Sequence, residues 1–328
     1  MLVFASELNC FAAHPLVSLS INVSAIHHYL TYQFIPTPLT IYQEVAKLPP
    51  ATILACDPDG KTTLTKYWEL DYRQKTVLTF SETQEEIRSR LRECTAKRMV
   101  SDVPLGAFLS GGVDSSAVVG FMSELSSAPI KTFSIGFEEL DFSELEYAKI
   151  VAGHFHTDHH EYVVKPQAAQ DMASIVWHYG EPFADASALP SYYLSKMARE
   201  EVTVALNGDG GDEAFAGYQR HRAMVLAALL DRLLVIFPDG AVKHLFTFVP
   251  RWAKAPTILH QARRFLEALL ESPARRNVYW HCYFTNQQKV RLYGDVLLPH
   301  LAQDAFSWMQ KIFDQAPASD LLDRTLHT

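Results

Sequence analysis

The stretch Ser110-Gly111-Gly112-Val113-Asp114-Ser115-Ser116 decides the fold, because it joins two different periodic patterns. An apolar run at 105–109 precedes it and predicts a buried strand, and apolar residues at helical spacing follow it. A strand, a glycine turn and a helix present backbone N–H groups to an anion at the helix N-terminus. The serine hydroxyls add donors, and Asp114 suits a cation that bridges phosphate oxygens. The stretch predicts a pyrophosphate-binding turn with a magnesium ligand; a turn without a ligand is the alternative.

A second glycine-rich turn follows the predicted strand at 202–206. Its sequence is Asn207-Gly208-Asp209-Gly210-Gly211-Asp212-Glu213. In an open parallel sheet, ligands bind outside the carboxyl ends of the strands. We therefore expect the two turns to face each other across one crevice, where Asp114 and Asp212 share a Mg²⁺ with phosphate oxygens and water. A calcium-binding loop is the alternative, but the spacing lacks the ligand series of an EF-hand.

The middle of the chain alternates strand and helix patterns. Strands are predicted at 105–109, 131–137, 161–164 and 202–206, and helices at 115–126, 143–155, 167–179 and 188–200. This alternation is typical of right-handed βαβ units, so we predict an α/β fold with a doubly wound parallel sheet and helices on both faces. The pattern from Ser81 to Gln84 predicts a capping box before it. After residue 213 the chain is predicted to be mostly helical, at 223–237, 260–270, 277–292 and 320–324.

The first 72 residues follow a different pattern. Residues 2–5 predict a strand, 23–32 a helix, and 51–56 with 62–68 a hairpin around a Pro- and Gly-containing turn. So few elements do not make a stable core. We expect residues 1–72 to be the β-rich tail of a larger domain and residues 73–328 to form a second one.

The composition is that of an ordinary globular protein: 328 residues, 48% hydrophobic, 20% charged and a formal charge of −8. This charge argues against nucleic acid as the main partner. The four cysteines are scattered without a metal spacing and predict free thiols in a reducing compartment. No leader sequence opens the chain, and the apolar run at 224–237 is short and interrupted by charges. The expected location is cytoplasmic, with no membrane partner.

The two turns also carry a family resemblance. The chain has neither a Walker A loop nor a G-x-G-x-x-G fingerprint, and S-G-G-x-D-S-S resembles the PP-loop of ATP pyrophosphatases. Together with the second turn and Phe215-x-Gly217-Tyr218, it resembles the synthetase domain of glutamine-hydrolysing asparagine synthetases. Two further segments, Thr132-Phe133-Ser134-Ile135-Gly136-Phe137 and Glu181-Pro182-Phe183-Ala184-Asp185, agree. Leu2-Val3-Phe4-Ala5-Ser6-Glu7 and Lys47-Leu48-Pro49-Pro50 resemble the end of that family's glutaminase domain, an N-terminal-nucleophile fold.

The resemblance implies a ligase that uses ATP and Mg²⁺. ATP adenylates the side-chain carboxylate of aspartate and releases pyrophosphate, and ammonia from glutamine then displaces AMP to give asparagine. By position, the implied site residues are Leu109 and Ile135 (adenosine, through the backbone), Ser110, Gly111, Gly112, Ser115 and Ser116 (pyrophosphate), Asn207 and Gly208 (nucleotide pocket), Asp114 and Asp212 (Mg²⁺), and Asp209 (amide formation). For Ile135 a plain core position at the strand end is equally expected.

Two departures from the family pattern bear on activity. The family's glutaminase uses an N-terminal cysteine, which Cys10 does not match, and a lysine of the adenylation site has no match before Thr328. We expect a chain truncated at both ends that does not use glutamine. The alternatives are an amidotransferase that acts on another carboxylate and a truncated product without turnover. The expected partners are small-molecule substrates. Whether the chain forms a homodimer is left open.

Other polar groups allow two interpretations each. A histidine-rich segment is a metal cluster or, as we favour, a surface turn, since its spacing is unlike a zinc site. Glu181, Asp185 and Ser187 shape an aspartate pocket or cap the start of a helix. Tyr218 and Arg220 orient substrate or lie on a helix surface. The polar residues of the histidine-rich segment are His154, His156, Asp158, His159 and His160.

Overall fold

The computed structural model describes residues 2–137, 144–164, 168–234 and 258–328. Two strands form an antiparallel hairpin and four form a separate parallel sheet. The hairpin strands are β1 (Thr52–Cys56) and β2 (Thr62–Lys66). The sheet strands are β3 (Leu105–Phe108), β4 (Lys131–Phe137), β5 (Asp158–Val164) and β6 (Val204–Leu206).

Helices make up most of the rest of the described chain. Up to the second glycine turn they are α1 (Asn9–Ala13), α2 (Val23–Tyr32), α3 (Phe80–Arg98), α4 (Val113–Leu125), α5 (Leu145–Phe155), α6 (Ala168–Tyr179) and α7 (Ala188–Ala198). After it come α8 (Gly211–Phe215), α9 (Gln219–Leu234), α10 (Ile258–Leu269), α11 (Pro273–His281), α12 (Asn286–Lys289), a 3₁₀ turn (Leu298–Ala302), α13 (Ser307–Gln315) and α14 (Leu321–His327). Most predicted elements lie within a few residues of these bounds. The predicted helix ends at residues 143, 167 and 235–237 lie outside the described residues.

The order of the parallel strands places the two glycine turns side by side. Across the sheet the order is β5-β4-β3-β6, with every neighbouring pair parallel. The chain steps outward from β3 through β4 to β5, and then returns to the other side of β3 with β6. The strand order thus reverses between β3 and β6, and such a switch point is where open α/β sheets bind ligands. Both turns leave the sheet there, one after β3 and one after β6.

Apolar clusters cover both faces of this sheet. On one face Ala107 and Leu109 pack with Val119 of α4 and Ala148 of α5. On the other face Phe133 packs with residues of and after α7, Ala198 and Val202. A parallel sheet needs cover on both faces because its strands are apolar on both sides. The prediction of an α/β fold with a doubly wound parallel sheet is confirmed.

Residue contacts divide the chain into two compact units. One consists of residues 1–75, 176–184 and 216–328, and the other of residues 76–175 and 185–215, which include the parallel sheet and both glycine turns. In the first unit the N-terminal segment shares a core with the C-terminal helices, where Tyr32 packs with Val278 and Met309. The boundary predicted at residues 72 and 73 therefore differs from the division by contacts. Because packing units and evolutionary domains need not coincide, that boundary stays a prediction.

Three local predictions are wrong. Residues 2–5 form no strand: Phe4 is 88% exposed, and no described strand pairs with them, so their backbone lacks the ladder that a strand requires. The capping box before α3 is formed by Thr79 and Glu82, because the Glu82 carboxylate accepts the Thr79 N–H. The predicted helix at 277–292 is two helices, α11 and α12, because α11 ends at His281 and the next residue, Cys282, has an extended backbone.

Two further predictions concern the environment of the chain. Among the described residues no helix is both long and apolar enough to cross a membrane. The four cysteines, Cys10, Cys56, Cys94 and Cys282, are free, as predicted.

Candidate functional site

The first glycine turn is held tightly between β3 and two helices. Gly111 has a φ of +83°, and a Cβ placed on it would lie 2.5 Å from the Cβ of Tyr147 and 2.6 Å from the backbone N of Ala148. Only glycine combines that φ with such an approach of α5. Gly112 is the N-cap of α4 and supplies no side-chain cap. The first-turn N–H groups of α4 are therefore left to a ligand or to water.

Hydrogen bonds among its own serines shape the same turn. Ser110 Oγ lies 3.0 Å from Ser115 Oγ and accepts the Gly112 N–H at 3.1 Å. Ser116 Oγ donates to the Gly112 carbonyl at 2.6 Å. The hydroxyls that were predicted to hold pyrophosphate thus have partners within the turn, so an anion would bind through them only by exchanging these bonds.

The second turn lies directly against the first. A Cβ on Gly208 would lie 2.5 Å from the backbone N of Ser115 and 2.7 Å from the carbonyl carbon of Asp114. A Cβ on Gly211 would meet the Asp114 carboxylate, with Oδ1 at 2.5 Å. The expected convergence of the two turns is confirmed, and it depends on the missing side chains of these two glycines.

The acidic side chains of the second turn differ in their surroundings. Asn207 Nδ2 donates to Asp209 Oδ2 at 2.7 Å, and the Asp209 N–H donates to Asn207 Oδ1 at 3.2 Å. This pair of bonds fixes the orientation of the Asp209 carboxylate. Asp212 lies in the first turn of α8, next to the glycine that contacts the half-buried Asp114.

The donor set can be tested against the predicted Mg²⁺. The described residues contain no group of three or more His, Cys, Asp or Glu side chains arranged to hold a metal. Mg²⁺ is commonly bound by one or two carboxylates, and substrate phosphates and water complete its octahedron. The Asp114 carboxylate, against the backbone that leads into Asp212, fits this kind of site. The described residues do not fit a metal site whose ligands all come from protein side chains.

The predicted adenosine contacts lie at the ends of β3 and β4. The Leu109 N–H donates to the Phe133 carbonyl at 2.9 Å, and the Leu109 carbonyl accepts from Ser134 Oγ. Both backbone groups of Leu109 therefore already have protein partners, and adenosine recognition by Leu109 and Ile135 stays a prediction. Ser134, which is 3% exposed, was missed as a residue that positions this edge. A lone hydroxyl within an otherwise apolar strand end is the signal that could have indicated it.

The segment at 181–187 contributes ordinary structural contacts. The Glu181 carboxylate pairs with Lys47 Nζ and accepts the Ile41 N–H at 3.2 Å, in the unit that contains the N-terminal segment. Asp185 Oδ1 accepts the Ser187 N–H at 2.8 Å, in the turn that leads into α7. Ser187 is the N-cap of α7 but makes no side-chain capping bond, and the Glu181 carboxylate is held by its ion pair with Lys47. For all three residues the pocket interpretation stays a prediction.

The histidine-rich segment straddles a helix end and a strand, as expected. His156 ends α5 in the left-handed conformation, and His159 and His160 lie within β5. His159 Nδ1 lies 2.8 Å from the Thr132 hydroxyl, and His160 stacks on Phe133. His159 and His160 therefore pack on the sheet. The interpretation as a surface turn fits only His154 and His156, which precede β5.

Near residue 219, the Arg220 guanidinium lies 3.6 Å from the centre of the Tyr218 ring. This cation–π contact occupies both side chains with each other. Neither their predicted role with substrate nor a plain surface role is tested by it.

Comparison with known proteins adds the family. A model of the asparagine synthase family matches residues 86–327. The chain belongs to the asparagine synthase family. A model of the glutamine amidotransferase domain matches residues 1–68. The family resemblance seen in the sequence is thereby confirmed.

Curated relatives carry related names. The chain is 43% identical to putative asparagine synthetase [glutamine-hydrolyzing] 2 of Methanocaldococcus jannaschii over 67% of this chain and 43% of that protein. It is 34% identical to asparagine synthetase [glutamine-hydrolyzing] 1 of Bacillus subtilis over 74% of this chain and 38% of that protein. The chain spans less than half the length of these relatives.

Among solved structures, the chain is similar to an NH3-dependent NAD synthetase from Campylobacter jejuni. The TM-score is 0.31 at 11% identity, over 69% of this chain and 93% of that one. A similarity this low carries no argument about fold or function.

Proposed function

We propose that this chain carries the adenylating and amide-forming site of an ATP-dependent ligase that converts aspartate to asparagine. The observation that carries the proposal is the contact of the Gly208 backbone with Asp114 and Ser115. It brings an acidic glycine turn against an uncapped helix N-terminus at the point where the strand order reverses. Membership of the asparagine synthase family and the names of the relatives support the substrate.

In the proposed first step, an aspartate carboxylate oxygen attacks the α-phosphorus of ATP. The bond between the α-phosphorus and its bridging oxygen breaks, and pyrophosphate leaves with the electron pair. The first-turn N–H groups of α4 and the groups of Ser110, Gly111, Gly112, Ser115 and Ser116 would hold the pyrophosphate. Leu109, Ile135, Asn207 and Gly208 would line the rest of the nucleotide pocket.

Asp114 and Asp212 would hold Mg²⁺. When bound, this ion neutralises charge on the phosphates and on the departing pyrophosphate. What the chain itself contributes is the placement of one carboxylate from each turn. That placement requires the close approach of Gly211 to the Asp114 side chain.

In the proposed second step, ammonia attacks the acyl carbon of the adenylate. The new C–N bond forms, AMP leaves with the former carboxylate oxygen, and the attacking nitrogen loses a proton. Asp209 is the proposed acceptor of that proton, and its two hydrogen bonds with Asn207 would hold it in one orientation.

The remaining assignments rest on the family matches. We infer that residues 1–72 belong to a glutaminase domain whose role is to supply ammonia from glutamine, and residues 73–328 to the synthetase domain. The matches at 1–68 and 86–327 support this division. A cytoplasmic location is supported by the four free cysteines.

Nucleotide binding tests the proposal directly. Titration calorimetry with ATP and Mg²⁺ should show binding to the unaltered chain and at least about tenfold weaker binding to Asp114→Ala and Asp212→Ala, since a polar contact to a charged group contributes about 1.5–3 kcal/mol. Asp102→Ala is the matched control, because this exposed carboxylate precedes the N-terminal end of β3, whereas the first glycine turn follows the C-terminal end of the same strand. A folded chain that binds no nucleotide, or equal binding by all three variants, would refute the proposed site.

The acceptor can be tested separately. The chain is incubated with ATP, Mg²⁺, ammonium and one of several carboxylic acids, and AMP and the amide product are measured. Aspartate should give AMP and asparagine in equal amounts, whereas no AMP with any acid would support the alternative of a truncated product without turnover. AMP formation with another acid alone would replace aspartate as the substrate and leave the nucleotide site in place.

A further inference from the structure

Tyr147 is an exposed aromatic residue that directly contacts the first glycine turn. It lies in the first turn of α5, and its Cβ is the atom nearest to a Cβ built on Gly111, at 2.5 Å. Its side chain is nevertheless 65% exposed. Among the described residues, its hydroxyl has no hydrogen-bond partner and its ring packs on no other aromatic ring. A single exposed tyrosine is common on protein surfaces, so its position against Gly111 is what connects it to the site.

The position of α5 determines which part of a nucleotide Tyr147 could meet. The proposed adenosine contacts, Leu109 and Ile135, lie near the ends of β3 and β4, so a nucleotide with its phosphates at the N-terminus of α4 would place its ribose and base beside these strand ends. The Asn207–Asp212 turn covers the side of β6. Tyr147 lies on the other side, on the helix that follows β4 and packs against it. An apolar, planar and exposed ring at that place suits a base, which has an aromatic face of its own.

We propose that Tyr147 stacks on the purine base of the bound nucleotide and so contributes to recognition of ATP and AMP. This inference rests on the proposed function. It assigns to a side chain of α5 a contact with the face of the base, beside the backbone contacts proposed for Leu109 and Ile135. The contact uses the ring face, so the hydroxyl is dispensable.

The test compares ligands that have a base with one that lacks it. The affinities of ATP, AMP and inorganic pyrophosphate, each with Mg²⁺, are measured by calorimetry for the unaltered chain, Tyr147→Phe, Tyr147→Leu and Tyr147→Ala. Stacking of one base on an aromatic side chain contributes about 1–3 kcal/mol, which corresponds to about a 5- to 150-fold change in affinity. We expect the Leu and Ala variants to lose that factor for ATP and AMP, with pyrophosphate binding unchanged and Phe equal to Tyr.

Tyr67→Ala is the matched control, since that tyrosine is 66% exposed and follows β2 in the other unit. Pyrophosphate binding by each variant also shows that its site is folded. If the unaltered chain binds ATP and the Ala variant binds it equally well, only the stacking proposal fails. If the Leu and Ala variants lose pyrophosphate as much as ATP, Tyr147 acts by supporting the Gly111 turn and stacking is refuted. If the unaltered chain binds none of the three ligands, the proposed function itself fails.

Discussion

Replacing Gly208 with alanine should separate the two turns that the proposed site brings together. The added methyl group would lie 2.5 Å from the backbone N of Ser115 and 2.7 Å from the carbonyl carbon of Asp114. Non-bonded heavy atoms pack at about 3.5–4.0 Å, so the turns must move apart by roughly 1 Å. Both obstructing atoms are backbone atoms, and the strain cannot be relieved by a change of rotamer.

The expected cost follows from that displacement. Overpacking of this kind typically lowers the free energy of unfolding by about 1–3 kcal/mol. A displacement of about 1 Å between groups that act together can cost about 100-fold in function. We expect Gly208→Ala to bind ATP with Mg²⁺ between about 10- and 100-fold more weakly in calorimetry, and to unfold at a lower urea concentration.

Gly153→Ala is the matched control. A Cβ on Gly153 would meet no atom within 4 Å, and the residue lies within α5. Because alanine favours a helix over glycine by about 0.5–1 kcal/mol, this variant should be slightly more stable and bind ATP normally. If Gly208→Ala matched the unaltered chain in both stability and ATP affinity, the close contact between the turns would be wrong, and with it the basis of the proposed site.

Three further predictions concern stability and are measured by urea unfolding. Arg276 is 1% exposed and donates to both oxygens of a carboxylate and to three backbone carbonyls, so Arg276→Ala should cost about 3–5 kcal/mol. Arg275 forms ion pairs with Glu271 and Asp304 that are partly exposed to water, so Arg275→Ala should cost less, about 1 kcal/mol; equal costs would contradict this. Burial and a nearby lysine lower the pKa of His27 to about 4. Between pH 6.5 and pH 4 the unfolded state therefore takes up a proton on this histidine and the folded state does not, so the free energy of unfolding should fall by up to about 3 kcal/mol towards pH 4. If His27→Gln showed the same dependence of stability on pH as the unaltered chain, this explanation would be refuted. Thr79→Ala removes the capping box of α3 and should cost about 1 kcal/mol, while Ser81→Ala should cost little; the reverse order would restore the cap predicted from the sequence.

Local features of the site were predictable from the sequence because they depend on neighbouring residues. The two glycine turns, the strands before them and α4 are all encoded within short windows. The capping box at Thr79 was missed because Ser81-x-x-Gln84 matches the same pattern, and only the hydrogen bonds of Glu82 distinguish the two. The sequence does not single out Tyr147, because nothing within its own helix indicates that Gly111 lies against it.

The sequence alone determined the alternation of strands and helices, the two acidic glycine turns and the family, since each is written in local periodicity and short motifs. Only the tertiary structure decided that β6 pairs with β3, that Gly208 lies against Asp114 and Ser115, and that α2 packs with α11 and α13. These are contacts between segments far apart in the chain. Their free energy comes from burial and complementary shape, which depend on many side chains at once and leave no pattern in any one stretch of sequence.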